Sequence, residues 1–474
     1  MFERKSAPYL FHGQTTSLCD VCLAPVPAKI TIEGQNVFYL KRCNAHGVRK
    51  ALISTDAAYY KQCLDWLKPS DRPQTVQTKV ELGCPYDCGL CPDHEQHSCL
   101  AIIEVNEHCN LECPVCFAGS SPAKTANLPL KTIERMMDAL VANEGEPDLL
   151  QLSGGEPTIH PDILAIVDAA QSRPIRHLMI NTNGIRIAND PDFVAALAER
   201  KSGLEIYLQF DSLEREALMN IRGADLRRIR AQALEALERH GISTTLVCTL
   251  KKGVNDHEVA TLIDHALGWS CVRGVTFQPI QDTGRNDDFS ARSNRLVLSE
   301  VRRRIIDDHG MFGEADMIPL PCNPDAITIG YGLCNGRQVA PVTSMIPHDV
   351  LLDAIPNTVA FERYPELQKR IFELFSLSVG EGTITEKMTA LLCCLPEVPV
   401  PQGLDYSSIF RVAVINFMDR HNFCVGSVKR SCIHFVTPNG QIIPFETYNL
   451  FYRDGSIGPI RERLDKQFAP ANAP

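Results

Sequence analysis

Leu100-Ala-Ile-Ile-Glu-Val-Asn106-Glu-His-Cys109-Asn-Leu-Glu-Cys113-Pro-Val-Cys116 decides how this chain is read. Its first seven residues form a short apolar, β-branched run, the pattern of a buried strand. Three cysteines at Cys-x3-Cys-x2-Cys spacing follow at once. Closely spaced thiolates favour iron–sulfur clusters or zinc. A closed structural site takes four protein ligands, so three leave a [4Fe–4S] cluster with one iron open to a small molecule. Zinc would need a fourth ligand such as His108.

Outward from this loop, strand and helix patterns alternate. Strands are expected over 100–106, 149–153, 175–182, 204–211, 244–250 and 274–279. Helices are expected near 130–143, 159–171, 192–200, 225–240 and 257–267. Six strands with crossover helices are the signature of a parallel sheet. A parallel barrel presents its chemistry at the C-terminal ends of its strands. There the second strand ends in Ser153-Gly-Gly-Glu-Pro157. The glycines permit close backbone approach and Glu156 offers an acceptor for an ammonium group, although alone this is equally a plain strand–helix turn. Asn181-Thr-Asn-Gly184 and Gln209-Phe-Asp-Ser212 end the next two strands; capping and turn chemistry would account for them individually.

Composition sets the setting. The 474 residues are 44% hydrophobic and 22% charged, which excludes disorder as the main state. No apolar run nears the roughly 18 residues of a membrane span, and the first residues lack the apolar stretch of a secretory signal. The expected location is therefore the cytoplasm. A net charge of −10 argues against nucleic-acid binding driven by long-range attraction. Nineteen cysteines, an odd number, point to metal ligands rather than disulfides in that compartment.

Together, the cysteine loop and the glycine turn resemble the radical S-adenosylmethionine (SAM) superfamily, over about residues 100–290. The resemblance implies an α/β fold, a partial (βα)6 TIM-like barrel. Cys109, Cys113 and Cys116 would hold a [4Fe–4S] cluster, and Gly154, Gly155 and Glu156 would receive the methionine end of SAM. It implies Thr182, Asn183 and Asp211 around the ribose and carboxylate, and Gln278 near the adenine. It also implies an electron donor such as flavodoxin or ferredoxin, and a 5′-deoxyadenosyl radical that abstracts hydrogen from an unactivated carbon.

The flanks carry further ligand sets. Cys84-Pro-Tyr-Asp-Cys88-Gly-Leu-Cys91 repeats the cluster spacing 25 residues earlier and is followed by Cys99. An auxiliary cluster is expected on Cys84, Cys88, Cys91 and either Cys99 or a C-terminal cysteine; a four-cysteine zinc site is the alternative. Cys19-Asp-Val-Cys22 with Cys43-Asn-Ala-His46 reads as a zinc-ribbon or rubredoxin-like lobe holding zinc or iron. Cys322, Cys334, Cys424 and Cys432 are candidates for a second auxiliary site. Cys63, Cys248, Cys271, Cys393 and Cys394 read as plain thiols. These flanks are similar to the tetraether synthase group, which is grouped with pterin-modifying radical SAM methylases and carries iron sites beyond the SAM cluster. In that comparison the last hairpin carries Ile-Pro-Phe-Cys where this chain has Ile443-Pro-Phe-Glu446. The last auxiliary site is then altered or uses Glu446.

The expected organisation is a metal lobe over 1–68, an auxiliary Fe–S segment over 69–99, a radical SAM core over 100–290 and a C-terminal α+β auxiliary-cluster and substrate region over 291–474. By resemblance the reaction is carbon–carbon bond formation or methylation at an unactivated carbon. Coupling of lipid alkyl chains comes first, with peripheral membrane contact. Methylation of a pterin or other small molecule is the alternative, and peptide modification the third. A multi-cluster electron-transfer protein is the non-enzyme reading, but it has no use for a SAM-amino-group acceptor at Ser153–Pro157. The apolar run at 371–379 would line a lipid groove or fill a core. Substrate, auxiliary ligand sets and oligomeric state are left open by the sequence.

Overall fold

The computed structural model describes residues 7–67, 72–335, 338–345, 348, 352 and 409–468. The run at 371–379, Cys393 and Cys394 lie outside the described residues.

The chain opens with an antiparallel meander of β1 (Leu10–Leu18), β2 (Pro25–Glu33), β3 (Asn36–Cys43) and β4 (Gly47–Ser54). Val37, Tyr39, Lys41 and Cys43 alternate inward along β3, the period-2 pattern of a half-buried strand. Cys19 and Cys22 follow β1, while Cys43 and His46 stand at the β3–β4 turn.

The centre is built on β5 (Leu100–Asn106), β6 (Leu149–Gly154), β7 (His177–Thr182), β8 (Leu204–Gln209), β9 (Thr244–Leu250) and β10 (Val272–Pro279). They pair in parallel and in chain order, joined by helices that include Leu130–Glu144, Ile163–Gln171, Pro191–Ala198, Arg227–His240 and Val259–Leu267. One face of the sheet packs on the helices: Ala101, Ile103 and Val105 meet Ile133, Met137 and Leu140. The other face carries Leu149, Met179, Tyr207 and Val247 against one another. Burial on both faces explains why strand 204–209 reads as nearly continuous apolar sequence.

Among the described residues, the C-terminal strands continue this sheet. The elements β11 (Ile318–Pro319), β12 (Ile327–Asn335), β13 (Gln338–Pro341), β14 (Ile409–Ile415), β15 (Ile433–Val436) and β16 (Ile442–Pro444) join the same sheet. β14 adds in parallel beside β10, and β15 adds in parallel beside β5. An open sheet leaves unpaired backbone at both edges, and these strands cover each one. Apolar side chains from the two sides then meet, with Ile102 and Ile433 packed in one cluster with Leu320, Ile327 and Ile329. The expected hairpin forms as β15–β16, turning at Gly440 with φ +84°.

Candidate functional site

The ends of β6–β10 and the cysteine loop line an open cleft. Cys109, Cys113, Cys116, Ser153, Gly154, Gly155, Asn181, Asn183, Gln209, Arg222, Thr249 and Gln278 line it. The two glycines are there because backbone runs against backbone. A Cβ on Gly154 would stand 2.3 Å from the Asn106 carbonyl oxygen, and one on Gly155 would stand 2.1 Å from that of His108. The N–H groups of Gly155 and Glu156 donate to those carbonyls, both at 2.9 Å, so the turn is clamped to the segment that leads into Cys109.

Glu156 does not face the cleft, which corrects its expected role as an ammonium acceptor. Its carboxylate is 1% exposed and accepts from Thr158 N–H at 3.0 Å, Thr182 hydroxyl at 2.7 Å and Asn183 N–H at 2.7 Å. A buried carboxylate needs such donors, and here they lace β6 to β7. Thr182 is buried and spent on the same bond. Asn183 does reach the cleft, where its amide donates to Asn110 Oδ1 at 2.7 Å.

Asp211 is likewise placed beneath the cleft rather than in it. Its φ of +67° turns the chain after β8, and its buried carboxylate takes a bidentate pair of bonds from Arg222, both 2.7 Å. Arg230 adds a contact at 3.4 Å. Although burial opposes its charge, Arg222 and Arg230 hold the Asp211 carboxyl below the usual range. Arg222 is therefore locked in place with one side toward the cleft and Cys113. Burial pushes the Cys109 thiol up to about 12, and Cys113 upward too, against the pull of Arg222. Ligation of such thiols must release protons.

Sequence reasoning missed Arg222, Ser153, Asn181, Gln209 and Thr249. Strand parity could have found three of them: Ser153, Asn181 and Gln209 share the inner face with Gln151, Met179 and Tyr207. Gln278, on β10, lines the cleft and donates to the Tyr207 hydroxyl at 3.3 Å. The result is a row of amides above the cysteines, with Gln209 donating to Asn181 at 3.1 Å.

Elsewhere the cysteines regroup. Cys19, Cys22, Cys43 and His46 have donor atoms all within 4.8 Å. A tetrahedral zinc with its ordinary bond lengths sets sulfur and nitrogen roughly 3.5 Å apart. Cys19 and Cys43 Sγ lie 3.4 and 3.6 Å from His46 Nδ1. Burial disfavours the Cys19 thiolate, but the N–H groups of Cys22 and Val21 outweigh it and bring the thiol down to about 6.

Of the two fourth ligands left open for the Cys84–Cys91 loop, Cys99 lies in another group. It groups with Cys322 and Cys432, the last two 3.7 Å apart. The cause is sheet register: Leu100 N–H donates to Cys432 carbonyl at 3.0 Å as β15 adds to β5. Thiol hydrogen bonds from Cys432 and Cys99 hold the Cys322 thiol well below its ordinary value. Cys334 instead sits opposite Val339 on β12–β13, and Cys424 lies 3.1 Å from the Thr15 hydroxyl, so neither joins that triad. Cys84 and Cys88 share a hydrogen bond, with Cys91 near them. Glu446 lies between the two groups: its carboxylate accepts from Ser431 beside Cys432 at 2.9 Å, while Thr447 meets Cys88. Burial pushes the Glu446 carboxyl up to about 7.

Comparison with known proteins falls on the same segments. Residues 103–266 match the Radical SAM superfamily, and residues 11–55 match the HMPTM N-terminal zinc ribbon domain. The chain is 32% identical to 7,8-dihydro-6-hydroxymethylpterin dimethyltransferase of Methanocaldococcus jannaschii, over 93% of this chain and 94% of that one. It is 27% identical to GTP 3′,8-cyclase of Chlorobaculum tepidum, over 61% of this chain and 90% of that one. Among solved structures, Streptococcus suis SuiB bound to S-adenosylmethionine aligns over 45% of this chain and 48% of its own, at 17% identity and a TM-score of 0.37. Among the described residues no helix is long and apolar enough to cross a membrane.

Proposed function

The chain belongs to the radical SAM superfamily, with the Methanocaldococcus jannaschii pterin dimethyltransferase among its relatives, and from that premise we propose that it methylates a pterin-like heterocycle at an unactivated carbon. It is a radical SAM enzyme, and its cofactors are a [4Fe–4S] cluster and SAM.

In this reading Cys109, Cys113 and Cys116 hold the cluster. The three thiols line one end of the cleft within electrostatic reach of one another. Bound there, the reduced cluster supplies the electron that cleaves SAM to a 5′-deoxyadenosyl radical. The clamped Gly154–Gly155 backbone receives the methionine end. Arg222, fixed by Asp211, offers its charge to the methionine carboxylate. Thr182, Asp211 and Glu156 act one layer below by setting these groups.

The observation that carries the substrate class is the amide row of Asn181, Gln209 and Gln278 at the strand ends that line the cleft. A flat heterocycle rich in ring nitrogens and carbonyls can satisfy those amides. An alkyl chain would dry the donors and acceptors these amides still offer beyond their bonds to one another and to Tyr207, which is costly, so pterin methylation takes precedence over the expected lipid coupling. The M. jannaschii relative's name agrees in class.

The test is anaerobic reconstitution with SAM and dithionite, with and without 7,8-dihydro-6-hydroxymethylpterin. Faster 5′-deoxyadenosine formation with the pterin, and deuterium from labelled pterin in that product, are expected. SAM cleavage that ignores the pterin and carries no label overturns the substrate class but leaves the enzyme class standing.

A further inference from the structure

The loop after β10 has two sides. On one, Gln281 and Thr283 line the cleft above the cluster cysteines. Arg285 ties that side to the cysteine loop: its N–H donates to Cys116 carbonyl at 2.8 Å, and its guanidinium donates to Cys113 carbonyl at 2.6 Å.

On the other side, Asp282 enters a largely buried charge seam that runs to the N-terminal ribbon. His421 Nε2 donates to the Asp282 carboxylate at 2.9 Å. His421 Nδ1 faces the Asp20 carboxylate at 3.4 Å. Asp20 stands between Cys19 and Cys22, inside the ribbon's ligand knuckle. It also pairs with Lys41 of β3, which is 1% exposed and donates to the carbonyls of Arg420 at 2.9 Å and His421 at 3.0 Å. One imidazole therefore spans from the metal knuckle to the wall of the cleft, with a carboxylate at each ring nitrogen.

We propose that His421 is a positioning residue for SAM: it couples the occupied ribbon knuckle, through Asp20, to Asp282 on the loop that walls the SAM cleft. The proposal rests on the cleft being the SAM site. An ion on Cys19 and Cys22 fixes the short segment that carries Asp20, and Asp20 fixes the ring. Cutting the bridge leaves Asp282 its N–H bond to Asp419 at 3.0 Å and the Arg420 guanidinium at 3.3 Å, and leaves Arg285 its bonds to the cysteine loop. The loop then loosens without detaching, so binding suffers and chemistry on bound SAM does not.

The experiment uses full-length enzyme with its clusters reconstituted, reading KM and kcat for SAM from 5′-deoxyadenosine formation, with zinc and iron measured on each preparation. His421→Gln should raise the SAM KM by about tenfold, as expected for losing a charged hydrogen bond, with kcat within about twofold and metal content unchanged. Cys22→Ser, which opens the knuckle, should raise KM similarly. The double variant should show no further rise, because both changes cut one path. Should His421→Gln fail to accumulate folded, Asp282→Asn takes its place in the same cycle. An unchanged KM, or effects that multiply in the double variant, would overturn the proposal, as would iron loss with a fallen kcat. Wild-type protein that does not cleave SAM would count against the enzyme reading instead, which keeps the two failures apart.

Discussion

Two loops of this protein carry cysteines at the same Cys-x3-Cys-x2-Cys spacing, and they come to rest in unlike surroundings. Cys109–Cys116 hangs from the end of a central strand, over a cleft lined by amides and one fixed guanidinium. Cys84–Cys91 lies against the C-terminal segments. Its Leu90 N–H donates to Ile442 carbonyl at 3.0 Å and its Cys88 N–H to the Tyr452 hydroxyl at 2.8 Å. The Asp87 carboxylate gathers the N–H groups of Glu81 and Gly83 at 2.7 and 2.8 Å, fixing the loop's entry. Spacing makes each loop a candidate for metal binding and does not tell them apart. What the open coordination position would face separates a reacting cluster from an enclosed one.

The largest expected effect breaks the two loops apart. Cys113→Ala should abolish 5′-deoxyadenosine formation. Cys88→Ala should lower iron per chain yet leave reductive SAM cleavage, measured without substrate, within about tenfold of wild type. Equal losses from both would show that spacing, not surroundings, decides. The next effect probes the clamp under the first loop. Gly155→Ala places a methyl where the His108 carbonyl oxygen now stands at 2.1 Å, so the backbone before Cys109 has to move. Overpacking costs roughly 1–3 kcal/mol and is felt at the ligand loop. Iron on the SAM site should fall, as read by the cluster's EPR signal on reduction, and SAM cleavage by at least about tenfold.

A smaller effect is expected at the guanidinium. Arg222→Lys keeps the charge but loses the bidentate fork to Asp211, so its aim is lost rather than its sign. The SAM KM should rise by roughly tenfold, with little change in kcat, in steady-state cleavage assays. A fallen kcat at unchanged KM would place Arg222 with the reacting atoms instead.

Much of this was legible in the chain, and the failures have a common cause. The strand–helix alternation showed through because each central strand is apolar on both faces, and the cleft-lining cysteines and glycines announced themselves by spacing. Glu156 and Asp211 looked like cofactor contacts because motif reading sees residue type at a strand end. It does not see which face the side chain takes or how many backbone donors wait beneath it. The choice between Cys99 and a C-terminal cysteine stayed open because sequence proximity to Cys91 was visible, whereas the pairing of β15 with β5 over three hundred residues away was not. Arg222 gave no signal beyond being an arginine near a helix end, since its partner Asp211 is presented by a left-handed turn.

The smallest expected effect concerns how the ribbon is held against the loop that walls the cleft. His421 lies between Asp20 and Asp282, and although burial works against its charge, those carboxylates push its pKa up to about 9. The unfolded histidine titrates near about 6.5. A folded-state pKa raised above the unfolded one gives stability that is complete below about pH 6.5 and lost as pH climbs through 9. Asp20 and Asp282 are both held below their ordinary range, so their share is lost on the acid side instead. The melting temperature of the holoenzyme should therefore fall by roughly a few degrees between pH 6.5 and 9.5, and His421→Gln should flatten that slope. The acid limb should remain in the variant only as far as Lys41 still holds Asp20. An alkaline slope unchanged in His421→Gln would place the titrating group elsewhere and leave the seam without a role in docking the ribbon.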